Sequence, residues 1–256
     1  IEFRTIDYTN NPLIIGSHRL MTAHNSTMEL DLTEPLNLLR RHEGEVRHFV
    51  ALLATANTRA RLTGPTDELV LWEDHVVDCA AALALLPQGG QVIDVGTGGG
   101  LPGRVWALCR PDVAVTLLDS VERKCALVGE MVQVLGLPPE RVQVVCERSE
   151  TFAARNREVF DLASARAVCE AGVLAEVLSP LVRPGGHLLA FKGPRAEEEL
   201  GGGRGKWDRL GLGEPERLGY DLGDKVRCFV RWEKIAPCPS KYPRRPGMAE
   251  KRPWYR

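Results

Sequence analysis

Short strand-like apolar runs alternate with helix-like stretches through the middle of this 256-residue chain. The runs are rich in β-branched residues, whereas the stretches between them repeat apolar residues at three- and four-residue steps. Such alternation predicts an α/β fold with a mostly parallel sheet and helices on both faces. We predict seven strands, at residues 91–95, 113–118, 141–146, 160–164, 187–191, 216–222 and 226–235.

The pattern divides the chain into four segments. Residues 1–28 show no sustained period and are predicted to be a loosely structured N-terminal extension. Residues 29–88 have helical periodicity, which Pro87 and the glycines after it bring to an end. Residues 89–236 carry the strand–helix alternation and are predicted to form a Rossmann-like domain. Residues 237–256 form a basic tail.

Composition excludes several classes of protein. The longest uninterrupted apolar run, residues 79–86, has eight residues, and a membrane span needs about 20. The seven cysteines include no C-x-x-C pair, so we expect reduced thiols in a cytoplasmic protein and no metal site. Nothing in the pattern argues for an obligate dimer, and we expect a monomer.

A glycine loop follows the first predicted strand. It reads DVGTGGGLPG from Asp94 to Gly103, and ligands of open α/β sheets bind beyond the carboxyl ends of the strands. Asp119 ends the next strand, where a carboxylate can accept hydrogen bonds from both hydroxyls of a ribose. These residues predict a nucleoside-containing cofactor, with Asp94, Gly96, Gly98, Gly100 and Asp119 as candidate contacts.

Two cofactors remain possible for this loop. Gly98, Gly100 and Gly103 satisfy the G-x-G-x-x-G pattern of dinucleotide sites. An acid just before the loop is unfavourable for a pyrophosphate but suits the ammonium and sulfonium of S-adenosylmethionine. The loop therefore favours S-adenosylmethionine over a nicotinamide dinucleotide.

Several segments resemble one bacterial family, the ribosomal RNA small subunit methyltransferase G family, also called glucose-inhibited division protein B. The loop VIDVGTGGGLPG at residues 92–103 resembles the corresponding loop of that family. Further similar segments, in the same order, are WEDHVVD (72–78), LLDS (117–120), RSE (148–150), ARA (165–167), FKGP (191–194) and KYPRRPG (241–247). The family usually has Asn where this chain has Arg61.

The resemblance implies a class I S-adenosylmethionine-dependent methyltransferase fold and transfer of a methyl group to N7 of a guanine in 16S ribosomal RNA. It also implies that Gly96 and Leu101 contact the cofactor and that Asp119 holds its ribose. Ser149 and Glu150 would lie beside the adenine, and Arg166 would complete the pocket.

Guanine N7 carries no proton, so its methylation needs no general base, and the enzyme has to align the reacting atoms and exclude water. We therefore expect no catalytic triad. The candidate residues on the substrate side, by position or by family match, are His75, Asp78, Arg166 and Lys192.

The last 16 residues carry six basic residues against one acidic residue, which the net charge of −1 conceals. Prolines are expected to keep this tail extended, and Tyr242, Trp254 and Tyr255 could stack on bases. The predicted RNA-binding residues are Lys241, Arg244, Arg245, Lys251 and Arg252.

Two other functions remain open at this stage. The same sheet could serve a nicotinamide-dependent oxidoreductase. The departure at Arg61 also leaves room for a non-catalytic RNA-binding protein that retains the methyltransferase fold.

Overall fold

A mixed sheet organises the computed structural model, which describes residues 3–5, 27–64, 66–222 and 225–256. Within these ranges the sheet has nine strands in the order β1-β2-β8-β9-β7-β6-β3-β4-β5. The strands are β1 Phe3–Thr5, β2 Thr27–Leu30, β3 Gln91–Val95, β4 Ala114–Asp119, β5 Val142–Cys146, β6 Phe160–Arg166, β7 Val182–Lys192, β8 Glu216–Leu222 and β9 Lys225–Glu233.

Helices cover both faces of the sheet. The α-helices are α1 Thr33–Arg41, α2 Glu43–Asn57, α3 Glu68–Leu71, α4 Val77–Ala81, α5 Gly103–Cys109, α6 Glu122–Val134, α7 Ser149–Arg155, α8 Ala171–Leu178, α9 Ala196–Leu200 and α10 Met248–Lys251. A π-helical turn, Trp72–Val76, joins α3 to α4. No helix in the described part of the chain is long and apolar enough to cross a membrane.

The five strands from β7 to β5 are parallel. Successive side chains of a strand point in opposite directions, and the inner strands of this group are apolar on both faces because helices cover the sheet on both sides. Val92 packs with the helices α1 to α6, whereas its neighbour Ile93 packs with α7, α8 and the C-terminal segment. Likewise, Leu117 packs in the same core as Val92, and Leu118 packs in the same core as Ile93. The sheet thus separates two cores, and its carboxyl edge lies between them.

The prediction of a mostly parallel α/β sheet is confirmed, and the seven predicted strands correspond to β3–β9. The predicted strand count was too low, because β1 and β2 add two strands beside β8. Strand β1 lies within the segment predicted to be loosely structured, and β2 overlaps its end. Residues 29–30, predicted to be part of the helical segment, belong to strand β2. Strands of three and four residues are too short to show a period of two. Residues 6–26 of the predicted extension lie outside the described residues.

The C-terminal tail folds back onto the second core instead of extending away from it. Tyr242 and Trp254 are 5% and 6% exposed, so neither ring is available to stack on a base. Trp254 lies 5.4 Å from Trp207, measured between ring centroids, and its indole N–H donates to the carbonyl of Gly172. The expectation of an extended tail is therefore wrong, because its aromatic residues complete the core.

Candidate functional site

The glycine loop between β3 and α5 is held by Asp94. The Asp94 carboxylate is fully buried, and one oxygen accepts hydrogen bonds from the Thr97 hydroxyl at 2.6 Å and the Gly103 N–H at 3.0 Å. Burial raises the pKa of this carboxyl to about 6. Asp94 lines neither of the cavities described below. Asp94 therefore shapes the loop through one oxygen. The other oxygen, Oδ1, has no hydrogen-bond partner among the described residues, and the contact of Asp94 with the cofactor stays a prediction.

The loop is also bonded to the end of β4. The N–H of Gly98 donates to Asp119 Oδ2 at 3.0 Å, and the N–H of Val121 donates to Asp119 Oδ1 at 3.0 Å. The amides of Gly96 and Thr97 both donate to the carbonyl of Leu118. These bonds place the predicted ribose carboxylate directly against the glycine loop, although the two are 21 residues apart.

Only some of the loop glycines line a cavity. Gly96 and Gly98 line the main cavity, and both have positive φ angles, +72° and +56°. Gly100 also has a positive φ, but a Cβ there would lie 2.9 Å from the guanidinium carbon of the buried Arg104. Gly100 lines neither of the two cavities and leaves room for Arg104. Its contact with a cofactor stays a prediction.

Two cavities open at the carboxyl edge of the sheet. The larger is a cleft of about 910 Å³ whose lining includes the glycine loop, α4, Arg166 and Lys192. The smaller, of about 160 Å³, is lined by Asp119, Ser149 and Glu150 among others. Both are lined by Gly96, Val168 and Cys169, so the two cavities meet beside the loop. A ligand with two dissimilar ends can extend from one into the other.

A buried acid organises the polar floor of the cleft. Asp78 is 2% exposed and pairs with two arginines, Arg166 at 3.2 Å and Arg227 at 2.8 Å. It also accepts a hydrogen bond of 2.8 Å from the hydroxyl of Tyr220. Since its oxygens are engaged by three partners, Asp78 positions the other groups. Both guanidiniums line the cleft.

His75 lies on the π-helical turn, one turn before Asp78. Burial and the nearby Arg166 lower the pKa of this imidazole to about 4. Its Nδ1 is buried without a hydrogen-bond partner among the described residues. His75 therefore stays uncharged at neutral pH and presents a neutral ring to the cleft.

Lys192, at the end of β7, is held on both sides. Its ammonium donates to Glu199 Oε2 and to the carbonyl of Cys169, each at 2.6 Å. Glu199 also accepts from the Ala171 N–H. Lys192 thus fastens α9 and the start of α8 to the sheet and forms part of the cleft wall.

Ser149 and Glu150, which the family resemblance implies to be beside the adenine, lie at the start of α7 and line the smaller cavity. The Ser149 hydroxyl is 3.1 Å from Glu150 Oε2. The other carboxylate oxygen of Glu150 accepts from the N–H of Gly247 at 3.1 Å, so the C-terminal tail reaches this cavity. Leu101, buried after the loop, lines the cleft.

The predicted RNA-binding residues of the tail divide into two groups. Arg244 donates from Nε and Nη2 to the buried Glu176, at 2.7 and 2.5 Å, so it anchors the tail rather than facing RNA. The other four, Lys241, Arg245, Lys251 and Arg252, are exposed.

The loop fits S-adenosylmethionine better than a dinucleotide. A pyrophosphate would need the backbone N–H groups at the start of α5, but the Gly103 N–H is already bonded to Asp94. The carboxylate Asp119 at the junction of the cavities suits a ribose, and nothing in the loop demands a phosphate.

Comparison with known proteins agrees with this geometry. The sequence model of the GidB family, described as rRNA small subunit methyltransferase G, matches residues 42–213. The chain belongs to this family. Relatives named ribosomal RNA small subunit methyltransferase G include one from Moorella thermoacetica, 37% identical and covering 81% of this chain and 88% of its own. Another, from Symbiobacterium thermophilum, is 40% identical and covers 77% and 84%.

Solved structures show the same fold at low sequence identity. A protein from Corynebacterium glutamicum is similar with a TM-score of 0.51 and 17% identity, covering 74% of this chain and 90% of its own. The S-adenosylmethionine-dependent methyltransferase SibL is similar with a TM-score of 0.50 and 16% identity, covering 66% and 56%. The chain thus has the class I methyltransferase fold. As a member of the rRNA small subunit methyltransferase G family, it has S-adenosylmethionine as its cofactor.

Sequence reasoning missed Tyr220, Arg227 and the tail residues of the smaller cavity. Arg227 and Asp78 are paired although 149 positions separate them, and no motif marks either strand of the β8–β9 hairpin. The segment KYPRRPG at residues 241–247 resembles the family and was a signal for a role of the tail at the site. The basic composition of the tail predicted only RNA binding.

Proposed function

We propose that this protein transfers a methyl group from S-adenosylmethionine to N7 of a guanine in 16S ribosomal RNA. The observation that carries the proposal is the pair of cavities that meet at Gly96, with Asp119 beside the junction. Membership of the GidB family supplies the substrate, since the relatives are named for the small-subunit ribosomal RNA.

The cofactor would lie across the two cavities. Asp119, 8% exposed, would accept hydrogen bonds from the ribose. Ser149 and Glu150 would border the adenine in the smaller cavity, while Gly96, Gly98 and Leu101 would contact the amino-acid end in the cleft. The orientation follows from size, because only the cleft has room for both the methyl donor and a guanine.

The bound cofactor supplies a methyl group on a sulfonium, which is already a strong electrophile. The residues of the cleft then have to hold the guanine with N7 directed at that methyl group. Arg166 and Arg227 are oriented by Asp78 and can donate to guanine O6 or to a neighbouring phosphate. The neutral imidazole of His75 removes no proton, and none has to be removed.

RNA would approach from the side of the cleft and the tail. Lys124 and Arg195 line the cleft, and the tail, which borders the smaller cavity, carries four further exposed basic residues. Such residues contact phosphates, so they add affinity without selecting the base. The choice of guanine would rest with the cleft.

Transfer of labelled methyl groups to small ribosomal subunits or naked 16S RNA tests this proposal. RNA from a strain lacking the gene is the substrate, and we expect N7-methylguanine with the wild-type protein. Asp119→Ala should weaken cofactor binding by roughly tenfold or more, since it removes an acceptor for two hydroxyls. Glu140→Ala, an exposed acid before β5 at the opposite edge of the sheet, is the control. Stabilisation of the fold by a nicotinamide dinucleotide instead of S-adenosylmethionine would contradict the proposal.

A further inference from the structure

The C-terminal segment is held against the cofactor side of the sheet by an ion pair, by packing of aromatic rings and by hydrogen bonds. Arg244 binds Glu176 of α8, which is 1% exposed, and Trp254 inserts beside Trp207. Arg157 donates to the carbonyl oxygens of Tyr242 and Cys238, at 2.5 and 2.7 Å. A segment anchored at so many points has a defined position on the protein.

This segment supplies one wall of the smaller cavity. Three of its residues, Gly247, Ala249 and Glu250, line that cavity together with Asp119 and Ser149. Ala249 is 5% exposed, and the Gly247 N–H is bonded to Glu150. The wall is therefore continuous with the residues that border the predicted adenine position, although it lies about 100 residues further along the chain.

Two carboxylates of this cavity, Glu150 and Glu250, differ in whether their oxygens have hydrogen-bond partners. Both oxygens of Glu150 have partners, Ser149 and Gly247. Glu250 is exposed at the rim and makes no hydrogen bond or ion pair with the residues that the structure describes. An ionised carboxylate only accepts hydrogen bonds, and the exocyclic amine of adenine is a donor. Hypoxanthine has a carbonyl oxygen at that position and would be disfavoured beside the carboxylate.

We propose that residues 247–250 form the outer wall of the adenine pocket and that Glu250 accepts a hydrogen bond from the adenine amine. This assignment rests on the proposed function, because it requires the adenine of S-adenosylmethionine in the smaller cavity. The tail thereby belongs to the cofactor site as well as to the RNA surface. Its inner side faces the base, and its outer side carries the exposed basic residues.

The test is a thermodynamic cycle on the full-length protein, in which one residue and one group of the ligand are changed separately and together. Calorimetry measures the binding affinity for each combination. The ligands are S-adenosylhomocysteine and S-inosylhomocysteine, which differ at the amine. We expect the wild-type protein to prefer the adenosine compound by about tenfold, and Glu250→Ala to lose most of that preference. Glu140→Ala, which removes an exposed acid remote from the cavity, should keep the preference. Equal preference in the wild type and Glu250→Ala would overturn the role of Glu250.

A second variant tests the wall itself. Ala249→Leu fills the cavity and should weaken S-adenosylhomocysteine binding at least tenfold, with apo thermal unfolding showing that the variant is folded. Should that variant not fold, hydrogen exchange of residues 244–252 in the wild type replaces it, and S-adenosylhomocysteine should protect those amides. Unchanged binding by a folded variant, or absent protection, would overturn the wall assignment. Failure of the wild type to bind S-adenosylhomocysteine at all would instead overturn the proposed function, and this inference with it.

Discussion

At the scale of single residues, Asp78 determines the geometry of the cleft floor. It was predicted as a substrate-side group, yet it is buried under Arg166 and Arg227 and also bonded to Tyr220. Removing one member of a buried ion pair leaves the remaining charges uncompensated. The residue therefore acts through its partners.

Asp78→Asn should lower the free energy of unfolding by about 3 kcal/mol, because two guanidiniums are deprived of their counter-charge. Urea denaturation measures the change. Glu43→Gln is the matched control, since it removes an acid from the exposed pair with Arg47 and should cost less than about 0.5 kcal/mol. Equal effects of the two substitutions would show that Asp78 does not organise the site.

The imidazole of His75 makes stability depend on pH. Its pKa, about 4 in the folded protein, lies below the usual value of 6.5, so the unfolded chain binds a proton more readily. The stabilising contribution of neutral His75 is therefore complete above pH 6.5 and is lost as the pH falls towards 4. Relative to His75→Gln, the wild type should lose about 1 kcal/mol over that range, a value discounted for the partial exposure of the ring. Denaturation of both proteins at pH 7 and pH 4 measures this loss, and a constant difference would contradict the assignment.

At the scale of elements, the sequence predicted strands better than it predicted contacts between them. The βα alternation identified β3 to β7 because each contains an apolar run with its own turn signals, and the segment after them was predicted separately as the strand pair β8 and β9. The pairing of Asp78 with Arg227 depends on where the β8–β9 hairpin lies beside β7, which no local pattern records. The same holds for Asp94, whose position before the glycines predicts a ligand contact, whereas the structure shows one of its carboxylate oxygens bonded to the loop itself.

The junction between the tail and α8 is an element-scale test. Arg244→Met should destabilise the protein by about 3 kcal/mol, because it leaves Glu176 buried without a partner. Combining it with Glu176→Leu should cost much less than the sum of the two single changes, since the unpaired charge is also removed. Chemical denaturation of the four proteins gives the coupling, and strictly additive effects would show that the ion pair does not anchor the tail.

At the scale of the whole molecule, charge is segregated on a chain that is nearly neutral overall. The excess of basic residues in the tail was visible in the sequence. Its division into an anchored inner side and an exposed outer side was not, because burial of Tyr242 and Trp254 depends on tertiary packing.

Replacing the four exposed basic residues, Lys241, Arg245, Lys251 and Arg252, with alanine should weaken RNA binding and flatten its salt dependence. The slope of log K against log salt should fall by about 0.7 to 0.9 for each phosphate that the tail no longer neutralises. Binding of 16S RNA fragments over a range of salt concentrations measures this slope. S-adenosylhomocysteine affinity is the control and should remain unchanged, and an unaltered slope would place the RNA elsewhere.

Mapping N7-methylguanine in 16S ribosomal RNA from cells that lack this gene tests the proposed methyl transfer in vivo. Borohydride reduction and aniline cleavage break the chain at this modified base. We predict that one cleavage present in wild-type RNA disappears and returns when the gene is restored, but not when Asp119→Ala is supplied at equal protein level. An unchanged cleavage pattern in the strain lacking the gene would contradict the account.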